Sequence, residues 1–541
     1  MKRNKVVLSA TALSLSAILA ACGADEASND SNKSSSSDGA KELNLLIPSE
    51  PPSLHPQLAS DTTSGAIIES TFEGLTTMVD GEPVLAAAKD YVVSDDLLTY
   101  TFTLRDAQWS NGDQVTAQDF EYAWKWALNP ENASEYASIL YAVKGAEAYN
   151  TGAGTADEVG VKAIDDKTLE VTLVAPTPYF LELTAFKTYF PINKANAEAN
   201  PKWYTEADSY VGNGAYTLST WNHSGDMVLE KSENYWDAEN VNIDTVNVAM
   251  VESETTQMTM YDAGEIDFLG APYGSIALDS IERLKSEDKL KVSDLSGIYW
   301  YKFNTKDDVM QNENIRKALA LAIDRQGLIN NIVKGEQQPA MGIVPNSVEG
   351  FGDDEGYFKD ADFDEAKKYL EAGLKELGLS SPSDLEVKVS YNTSEAHSAI
   401  AQFIQQGWTD KLGIKVKLDN AEWQVYLDKL SNGDFQIGRL GWSADYNDAY
   451  SFLEMYNSAS NGNNQTGWSN EEYTNLLNES IVETDATKRT EKLLAAEAVI
   501  MEDMPVAPIY YQTNLYVESD KVENMAPDAL GNINLKYVDV K

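Results

Sequence analysis

The second half of the chain contains the stretch that decides the fold, LEVKVSYNTSEAHSAIAQFIQQGWTDKLGIKVKL, residues 385–418. Its two ends, Leu385 to Tyr391 and Ile414 to Leu418, are predicted as β-strands. Between them, Ile400 to Trp408 repeats apolar residues at helical spacing. Strands that alternate with helices are typical of an α/β lobe with a partly parallel sheet. The stretch therefore predicts an α/β fold.

Two further segments of the same half are predicted as helices by their apolar spacing, Ile315 to Val333 and Leu493 to Met501. In the first of them, one helical face collects the side chains of Ile315, Ala318, Leu319, Ala322 and Ile323. The second half is therefore expected to mix long helices with strands.

The first half contains shorter elements. Leu43 to Ile47 is predicted as a strand, and the loop that follows it, Glu50-Pro51-Pro52-Ser53-Leu54, is stiffened by proline and suits a ligand-facing edge. The alternation from Tyr91 to Leu104 predicts an antiparallel hairpin. Phe120 to Leu128 is predicted as a core helix that follows a capping residue, Thr116.

The composition bounds the size and the partners of the protein. With 541 residues, of which 43% are hydrophobic, the chain can bury a large core and is expected to form more than one lobe. Lys and Arg total 41 against 86 Asp and Glu, which gives a net charge of −45 at pH 7. Such a charge disfavours binding to nucleic acid or to anionic lipid.

The amino-terminal segment has the layout of a secretory signal peptide, predicted over residues 1–21. Lys2, Arg3 and Lys5 precede a largely apolar stretch from Val6 to Ala21. The stretch ends in Leu-Ala-Ala before Cys22, the only cysteine, and this resembles a bacterial lipobox. We expect lipidation at Cys22, with residues 22–41 as the lipidated cysteine and a flexible linker.

The sequence carries no motif of a known catalytic or metal centre. The histidines, His55, His223 and His397, are far apart and form no close ligand pair. Nucleophile elbows, phosphate loops and dinucleotide-binding glycine motifs are absent. An acid/base pair among the 86 carboxylates stays open. The sequence favours a binding protein without a cofactor or metal ion over an enzyme.

A candidate binding segment runs from Arg439 to Asp448 and combines charge, aromatic area and glycine. Gly441 lets another backbone approach, Trp442 offers an apolar wall, and Asp445 offers a carboxylate that can pair with an ammonium group. The alternative is that Trp442 belongs to the core and Asp445 caps a turn.

An ordered series of motifs resembles the oligopeptide-binding proteins, periplasmic or lipid-anchored, of ATP-driven peptide importers. The series is Glu50-Pro51-Pro52-Ser53-Leu54, Phe72-Glu73-Gly74-Leu75, Trp109-Ser110-Asn111-Gly112, Val211-Gly212-Asn213-Gly214-Ala215-Tyr216, Asn234-Tyr235-Trp236 and Ile315-Arg316-Lys317-Ala318-Leu319. The resemblance covers the whole chain after the signal peptide.

The resemblance implies roles for residues that bind a peptide. Asp445 would pair with the free α-amino group, and the backbone of Gly441, Trp442 and Ser443, with the loop around Ser53, would pair with the peptide backbone. Trp423 and Tyr136 would line side-chain pockets. Arg439, His397 and Lys334 would meet the peptide carboxylate, although His397 alone is as well explained as an ordinary structural histidine, and Lys334 as a solvated charge.

The implied fold is the large, type II binding-protein fold, with two α/β lobes joined by a hinge and an extra inserted domain. The expected boundaries are 42–76, 200–295 and 512–541 for lobe I, 77–199 for the inserted domain, and 296–511 for lobe II. Two crossing segments would join the lobes.

The implied function is capture of short peptides for delivery to the permease and ATPase subunits of an importer. The protein would be a monomer, lipid-anchored at Cys22 on the outer face of the membrane of a Gram-positive bacterium. The alternatives are a receptor for one signalling peptide or for a dipeptide, haem or nickel complex, a secreted hydrolase, and an adhesin or chaperone-like lipoprotein.

Overall fold

The computed structural model describes residues 40–351 and 356–541. The predicted signal peptide, Cys22 and all but the last two residues of the predicted linker lie outside these ranges. No described helix is long and apolar enough to span a bilayer.

The described strands are β1 (Glu42–Ile47), β2 (Thr76–Val79), β3 (Glu82–Leu85), β4 (Ala88–Val93), β5 (Thr99–Leu104), β6 (Val161–Asp165), β7 (Thr168–Thr172), β8 (Tyr216–Asn222), β9 (Asp226–Lys231), β10 (Thr245–Met250), β11 (Phe268–Leu269), β12 (Lys291–Phe303), β13 (Gln338–Pro339), β14 (Glu386–Asn392), β15 (Lys415–Ala421), β16 (Ile437–Ser443), β17 (Val506–Glu518), β18 (Val522–Glu523) and β19 (Asp539–Val540).

The described α-helices are α1 (Thr62–Thr71), α2 (Ala117–Leu128), α3 (Ala146–Asn150), α4 (Phe180–Leu183), α5 (Lys194–Ala199), α6 (Glu254–Ala263), α7 (Ile281–Ser286), α8 (Glu313–Leu321), α9 (Arg325–Leu328), α10 (Phe363–Glu376), α11 (Glu395–Leu412), α12 (Trp423–Ser431), α13 (Tyr450–Leu453), α14 (Glu471–Val482) and α15 (Ala486–Asp503).

Three main sheets organise the described part of the chain. One lobe is built around the sheet β1-β10-β9-β8, in which β1 and β10 are parallel. The other lobe is built around β12, β16, β14 and β15 of the largest sheet, in which β14 runs parallel to both β15 and β16. A separate antiparallel sheet, β4-β5-β7-β6, comes from residues 88–172. The predicted α/β class and the partly parallel sheet are confirmed.

Two long strands, β12 and β17, pair antiparallel along most of their length. Lys291–Asp294 pairs with Thr513–Tyr516, and Ile298–Lys302 pairs with Val506–Tyr511, with a register shift between Asp294 and Ile298. A shift of this kind bends a strand locally. The expected lobe boundaries near residues 296 and 511 fall inside these strands, and the boundaries as a whole stay predictions.

Most predicted elements match, and one is wrong. Thr116 and Asp119 form the expected capping box of α2, with Asp119 Oδ2 accepting from Thr116 N at 2.9 Å. The single helix predicted over Ile315 to Val333 is instead divided. Helix α8 ends at Leu321, α9 begins after Asp324, and residues 329–333 form a π-helix. The break has a physical reason, because Asp324 Oδ1 accepts from Gly327 N at 2.8 Å and starts a new helix.

The core is continuous across the sheets. Its largest cluster of buried apolar side chains includes Leu43 of β1, Phe102 of β5 and Trp300 of β12, each fully buried. The lobes therefore pack together through apolar contacts and leave a cavity between them.

Candidate functional site

A cavity of about 340 Å³ lies among the three sheets. Its walls come from segments far apart in sequence, including residues 60–78, 135–136, 185–187, 439–445 and 530–534. A site of this kind, lined by apolar and polar groups, has the form of a ligand-binding cleft.

Strand β16 presents a backbone edge to this cavity. Gly441, Trp442 and Ser443 line the wall, and the strand pairs along its whole length with β12 on one side. On the other side β14 reaches only Ile437 and Gly438. Beyond Gly438 this second edge has no strand partner among the described residues. An edge of free backbone groups can pair with an extended chain.

Asp445 lies just after β16 and is held by its neighbours. Its backbone N–H donates to Ser451 Oγ at 2.9 Å, and its Oδ1 lies 3.5 Å from the Tyr136 hydroxyl. Oδ2 is buried and has no hydrogen-bond partner among the described residues. Burial raises the pKa of Asp445 to about 7, although the Lys187 charge and the Tyr136 hydrogen bond act in the opposite direction. The carboxylate is therefore prepared to accept a donor from a ligand.

Aromatic side chains form the wall beside Asp445. The Trp442 ring stacks on that of Tyr136, with centroids 5.9 Å apart and planes 10° apart. Trp442 is 8% exposed, and its Nε1 donates to the Ser451 carbonyl at 3.0 Å. Trp423 also lines the cavity, and its Nε1 is buried with no partner among the described residues. Trp442 thus belongs to the core and to the cavity wall at once.

Sequence reasoning missed two charged groups that line the same cavity as Asp445, namely Lys187 and Glu69. Lys187 is 6% exposed, and its Nζ lies 4.0 Å from the centroid of the Phe186 ring. Burial raises the pKa of Glu69 to about 7, and the Lys187 charge opposes this. The available signal was a charge inside an apolar run, Ala66-Ile67-Ile68-Glu69 in one case and Phe186-Lys187 in the other. Such groups are rarely buried without a reason.

Arg439 occupies another part of the same wall. Its Nη1 donates to Asn392 Oδ1 at 3.1 Å, and its guanidinium carbon lies 4.6 Å from the centroid of the Tyr299 ring. Nε is buried without a hydrogen-bond partner, and no carboxylate of the described residues lies within 4.0 Å of the guanidinium. A guanidinium with free donors beside a cavity can bind a carboxylate.

His397 lies behind Arg439 and not on the cavity wall. Its Nδ1 is 3.4 Å from the Tyr299 hydroxyl. Burial, and then the Arg439 charge, hold the pKa of His397 well below its usual value, so the imidazole is neutral at pH 7.

The structure does not bring Ser53 or Lys334 to the wall of this cavity. Ser53 Oγ accepts from the backbone N–H of His55 at 3.2 Å, so the hydroxyl is used inside its own loop. Lys334 has a left-handed backbone, with a φ of 52°, at the end of the π-helix. Their contact with a ligand, like that of His397, stays a prediction. No three His, Cys, Asp or Glu side chains of the described residues are grouped to hold a metal ion.

A sequence model described as "Bacterial extracellular solute-binding proteins, family 5 Middle" matches residues 82–464, well over half of the chain. The chain belongs to this family. A relative, the "Oligopeptide-binding protein OppA" of Bacillus subtilis (strain 168), is 50% identical over 521 residues, which cover 95% of this chain and 96% of the relative. The resemblance inferred from the ordered motifs is confirmed.

Solved structures of this family confirm the predicted two-lobed, type II fold. The Escherichia coli murein tripeptide binding protein MppA has a TM-score of 0.88 and 30% identity, over 93% of this chain and 98% of that one. Listeria monocytogenes OppA bound to peptide has a TM-score of 0.86 and 31% identity, over 93% of this chain and 99% of that one. The unliganded open form of MppA gives a TM-score of 0.62, with 30% identity over 93% and 97%. This chain is thus closer to the peptide-bound OppA than to the open MppA.

Proposed function

We propose that this family member captures short peptides in the cavity, along the free edge of β16. The observation that carries the proposal is the buried, unpartnered Oδ2 of Asp445 at the end of that edge. Arg439 of β16 supplies a positive charge, opposite to that of Asp445, four residues before the end of the strand at Ser443. A zwitterionic chain with an extended backbone complements such a surface. The peptide-binding names of the B. subtilis and L. monocytogenes relatives support this assignment.

The amino end of the peptide would bind at Asp445. An α-ammonium group would give the buried carboxylate a charge-assisted hydrogen bond that the empty cavity does not provide. The Tyr136 hydroxyl donates to the carboxyl group, and Ser451 Oγ accepts from the backbone N–H of Asp445. A blocked amine would leave the carboxylate buried without a partner, which costs several kcal/mol. Amino-terminal selection would follow without any side-chain preference.

The peptide backbone would pair with Gly441, Trp442 and Ser443 as an added strand, a mode of recognition that is indifferent to sequence. A Cβ at Gly441 would come within 3.0 Å of Gln512 Nε2, so a side chain there would crowd the wall. Tyr136, Trp423 and Trp442 would bound the side-chain pockets. Broad peptide specificity is therefore expected.

The peptide carboxylate would meet Arg439, whose planar guanidinium suits bidentate pairing. His397 and Lys334 would take part only for other peptide lengths or after side-chain movement, since neither lines the cavity. The loop around Ser53 would act through its backbone, because the Ser53 hydroxyl already accepts from His55 N.

The sequence and the family support a proposal for the place of the protein in the cell. The signal peptide over residues 1–21 would export it, and lipidation at Cys22 would anchor it as a monomer to the outer face of a Gram-positive cell membrane, with residues 22–41 as the tether. The closed, loaded lobes would deliver peptide to the permease and ATPase subunits of an importer, without catalysis by this chain.

Mass spectrometry of ligands that co-purify with the Cys22→Ser chain tests the proposal. A mixed ladder of short peptides, released intact after long incubation, is the expected result. One defined peptide would indicate a receptor for a signal. Cleavage of added peptides by the pure protein, or absence of peptide binding in calorimetry, would contradict the proposal.

A further inference from the structure

Helices α6 and α11 meet at their amino-terminal ends although they belong to different lobes. Helix α6 follows β10 of the four-stranded sheet, whereas α11 connects β14 to β15 in the largest sheet. Each helix begins with a glutamate, Glu254 in α6 and Glu395 in α11. Each glutamate binds the end of the other helix.

Glu395 accepts hydrogen bonds from the first turn of α6. Its Oε2 accepts from Thr255 N at 3.2 Å and from Thr255 Oγ1 at 2.6 Å, while Oε1 accepts from Ser253 Oγ at 2.9 Å. Ser253 is also the cap of its own helix, accepting from Thr256 N at 3.2 Å.

Glu254 makes the reciprocal contacts with α11. Its Oε1 accepts from Ser394 Oγ at 2.5 Å, and its Oε2 accepts from Ala396 N at 3.0 Å. Ser394 likewise caps its own helix, accepting from His397 N at 3.1 Å. Glu254 is 5% exposed, so these bonds are shielded from water.

The two carboxylates compensate the partial positive charges of the two helix ends. The amino-terminal end of a helix carries a partial positive charge and unsatisfied N–H groups, so two such ends repel each other unless carboxylates lie between them. Here each end receives a carboxylate from the opposite helix. Separation of the lobes would leave both carboxylates without these donors, whose bonds to Glu254 oppose the rise in its pKa that burial causes. The contacts therefore favour the closed arrangement over an open one.

We propose that Glu254 and Glu395, with Ser253, Thr255, Ser394 and Ala396, form an inter-lobe latch that sets peptide affinity from outside the cavity. The proposal rests on the proposed function, because a latch affects affinity only if the ligand is enclosed between the lobes. None of the six residues lines the cavity. The unliganded open form of MppA superposes less well on this chain than the other MppA structure does, so members of this family occur in more than one lobe arrangement.

The latch adjoins the predicted carboxylate end of the site. His397 follows Ala396 directly, and its Nδ1 lies 3.4 Å from the Tyr299 hydroxyl, while Arg439 lies over the Tyr299 ring. A ligand that fixes Arg439 would thus also fix the element that carries Ser394 and Glu395. Latch formation and ligand binding would support each other in the same closed state.

The test compares the Glu254→Gln/Glu395→Gln double variant with a control, Glu371→Gln, which changes an exposed glutamate of α10. Calorimetry and stopped-flow dissociation of the pentapeptide Ala-Ala-Phe-Ala-Ala are measured on the Cys22→Ser chain. We expect the dissociation constant to rise about tenfold in the double variant, mainly through faster dissociation, and the control to stay unchanged. Unchanged affinity and dissociation in a folded double variant would overturn the latch.

A distance measurement separates this proposal from the proposed function. Spin labels at Thr259→Cys in α6 and Gln406→Cys in α11, both exposed, report the separation of the two helices in the ligand-free Cys22→Ser chain. A shift to longer distances in the double variant supports the latch even if the pentapeptide does not bind. An unchanged distance distribution overturns it. If the double variant does not fold, Ser253→Ala/Ser394→Ala removes two donors of the latch and is judged by the same two outcomes.

Discussion

The two charged ends of the cavity are prepared for a ligand in different ways. At the Arg439 end, Nη1 donates to Asn392 Oδ1 and the guanidinium lies over the Tyr299 ring, while Nε is buried without a partner in the described part of the chain. At the Asp445 end, one carboxylate oxygen is buried without a partner, and burial raises the pKa to about 7. Both groups have one buried atom without a partner among the described residues, but only the Asp445 carboxylate is destabilised by burial, so it gains more from an opposite charge than the guanidinium does. The Asp445 end of the cavity, where the peptide amino group would bind, should therefore discriminate between ligands more strongly than the Arg439 end.

The largest expected effect is that of Asp445→Asn. The substitution keeps the shape of the side chain but removes the charge that would pair with the ligand ammonium group. We expect the affinity for Ala-Ala-Phe-Ala-Ala to fall about 100-fold, or roughly 3 kcal/mol, by calorimetry at pH 7.5. Asp434→Asn, an exposed aspartate before the same strand, is the matched control and should bind normally. A loss smaller than about threefold would remove Asp445 from the site.

The pH dependence of peptide affinity should distinguish the Asp445 end of the cavity from the Arg439 end. Because burial raises the pKa of Asp445 to about 7 in the empty cavity, the neutral acid predominates below that pH and cannot pair with an ammonium group. Affinity should fall as the pH is lowered from 7, by up to about tenfold per unit, and again above about 8, where the α-amino group loses its proton. Calorimetry from pH 5 to 9 measures this. An affinity of the parent protein that stays constant between pH 7 and pH 5 would contradict the pairing of Asp445 with the ligand ammonium group.

A smaller effect is expected at the other end. Arg439→Gln should weaken binding of the same pentapeptide only about three- to tenfold, because Arg439 already has protein partners. Carboxyl-terminal amidation of the peptide should weaken its binding to the parent protein by a similar factor. It should not weaken binding to the Arg439→Gln variant any further. If amidation costs more than amino-terminal acetylation, the asymmetry proposed above is reversed.

The smallest expected effect is on stability. The pKa of Asp445 is raised to about 7 in the empty fold. Ionisation of Asp445 therefore lowers the free energy of unfolding progressively as the pH rises from the usual pKa of an aspartate to about 7, and the full loss is present above pH 7. Asp445→Asn should therefore raise the unfolding midpoint of the ligand-free protein by about 1 to 3 °C at pH 8 and by less at pH 5. Scanning calorimetry on refolded, ligand-free protein checks this, and a lower midpoint at pH 8 would contradict it.

The sequence predicted the elements whose pattern is local. The strands around residues 385–418 and the capping box of α2 follow from periodicity and short-range chemistry. The division at Asp324 was missed because the apolar spacing continues across it, while the capping bond to Gly327 depends on a single side chain. Helix spacing alone does not distinguish one long helix from a divided one.

The composition of the site was only partly predictable. Asp445, Trp442, Gly441, Ser443, Arg439, Trp423 and Tyr136 all line one cavity, as the resemblance implied they could. Lys187 and Glu69 were missed because they lie more than two hundred residues from Asp445 in sequence, and only the folded chain brings them to the same cavity and the Lys187 charge to Asp445. The free edge of β16 was also beyond local analysis, since it depends on where β14 stops pairing.

The most direct test of the central claim, that Asp445 binds the ligand α-ammonium group, is a cycle of four affinities. Calorimetry measures free and amino-acetylated Ala-Ala-Phe-Ala-Ala against the parent Cys22→Ser chain and against its Asp445→Asn variant. The account predicts that acetylation costs about 100-fold in the parent and less than about threefold in the variant, because the charge that acetylation leaves unpaired is gone. An acetylation penalty of equal size in both proteins, or none in the parent, would contradict it.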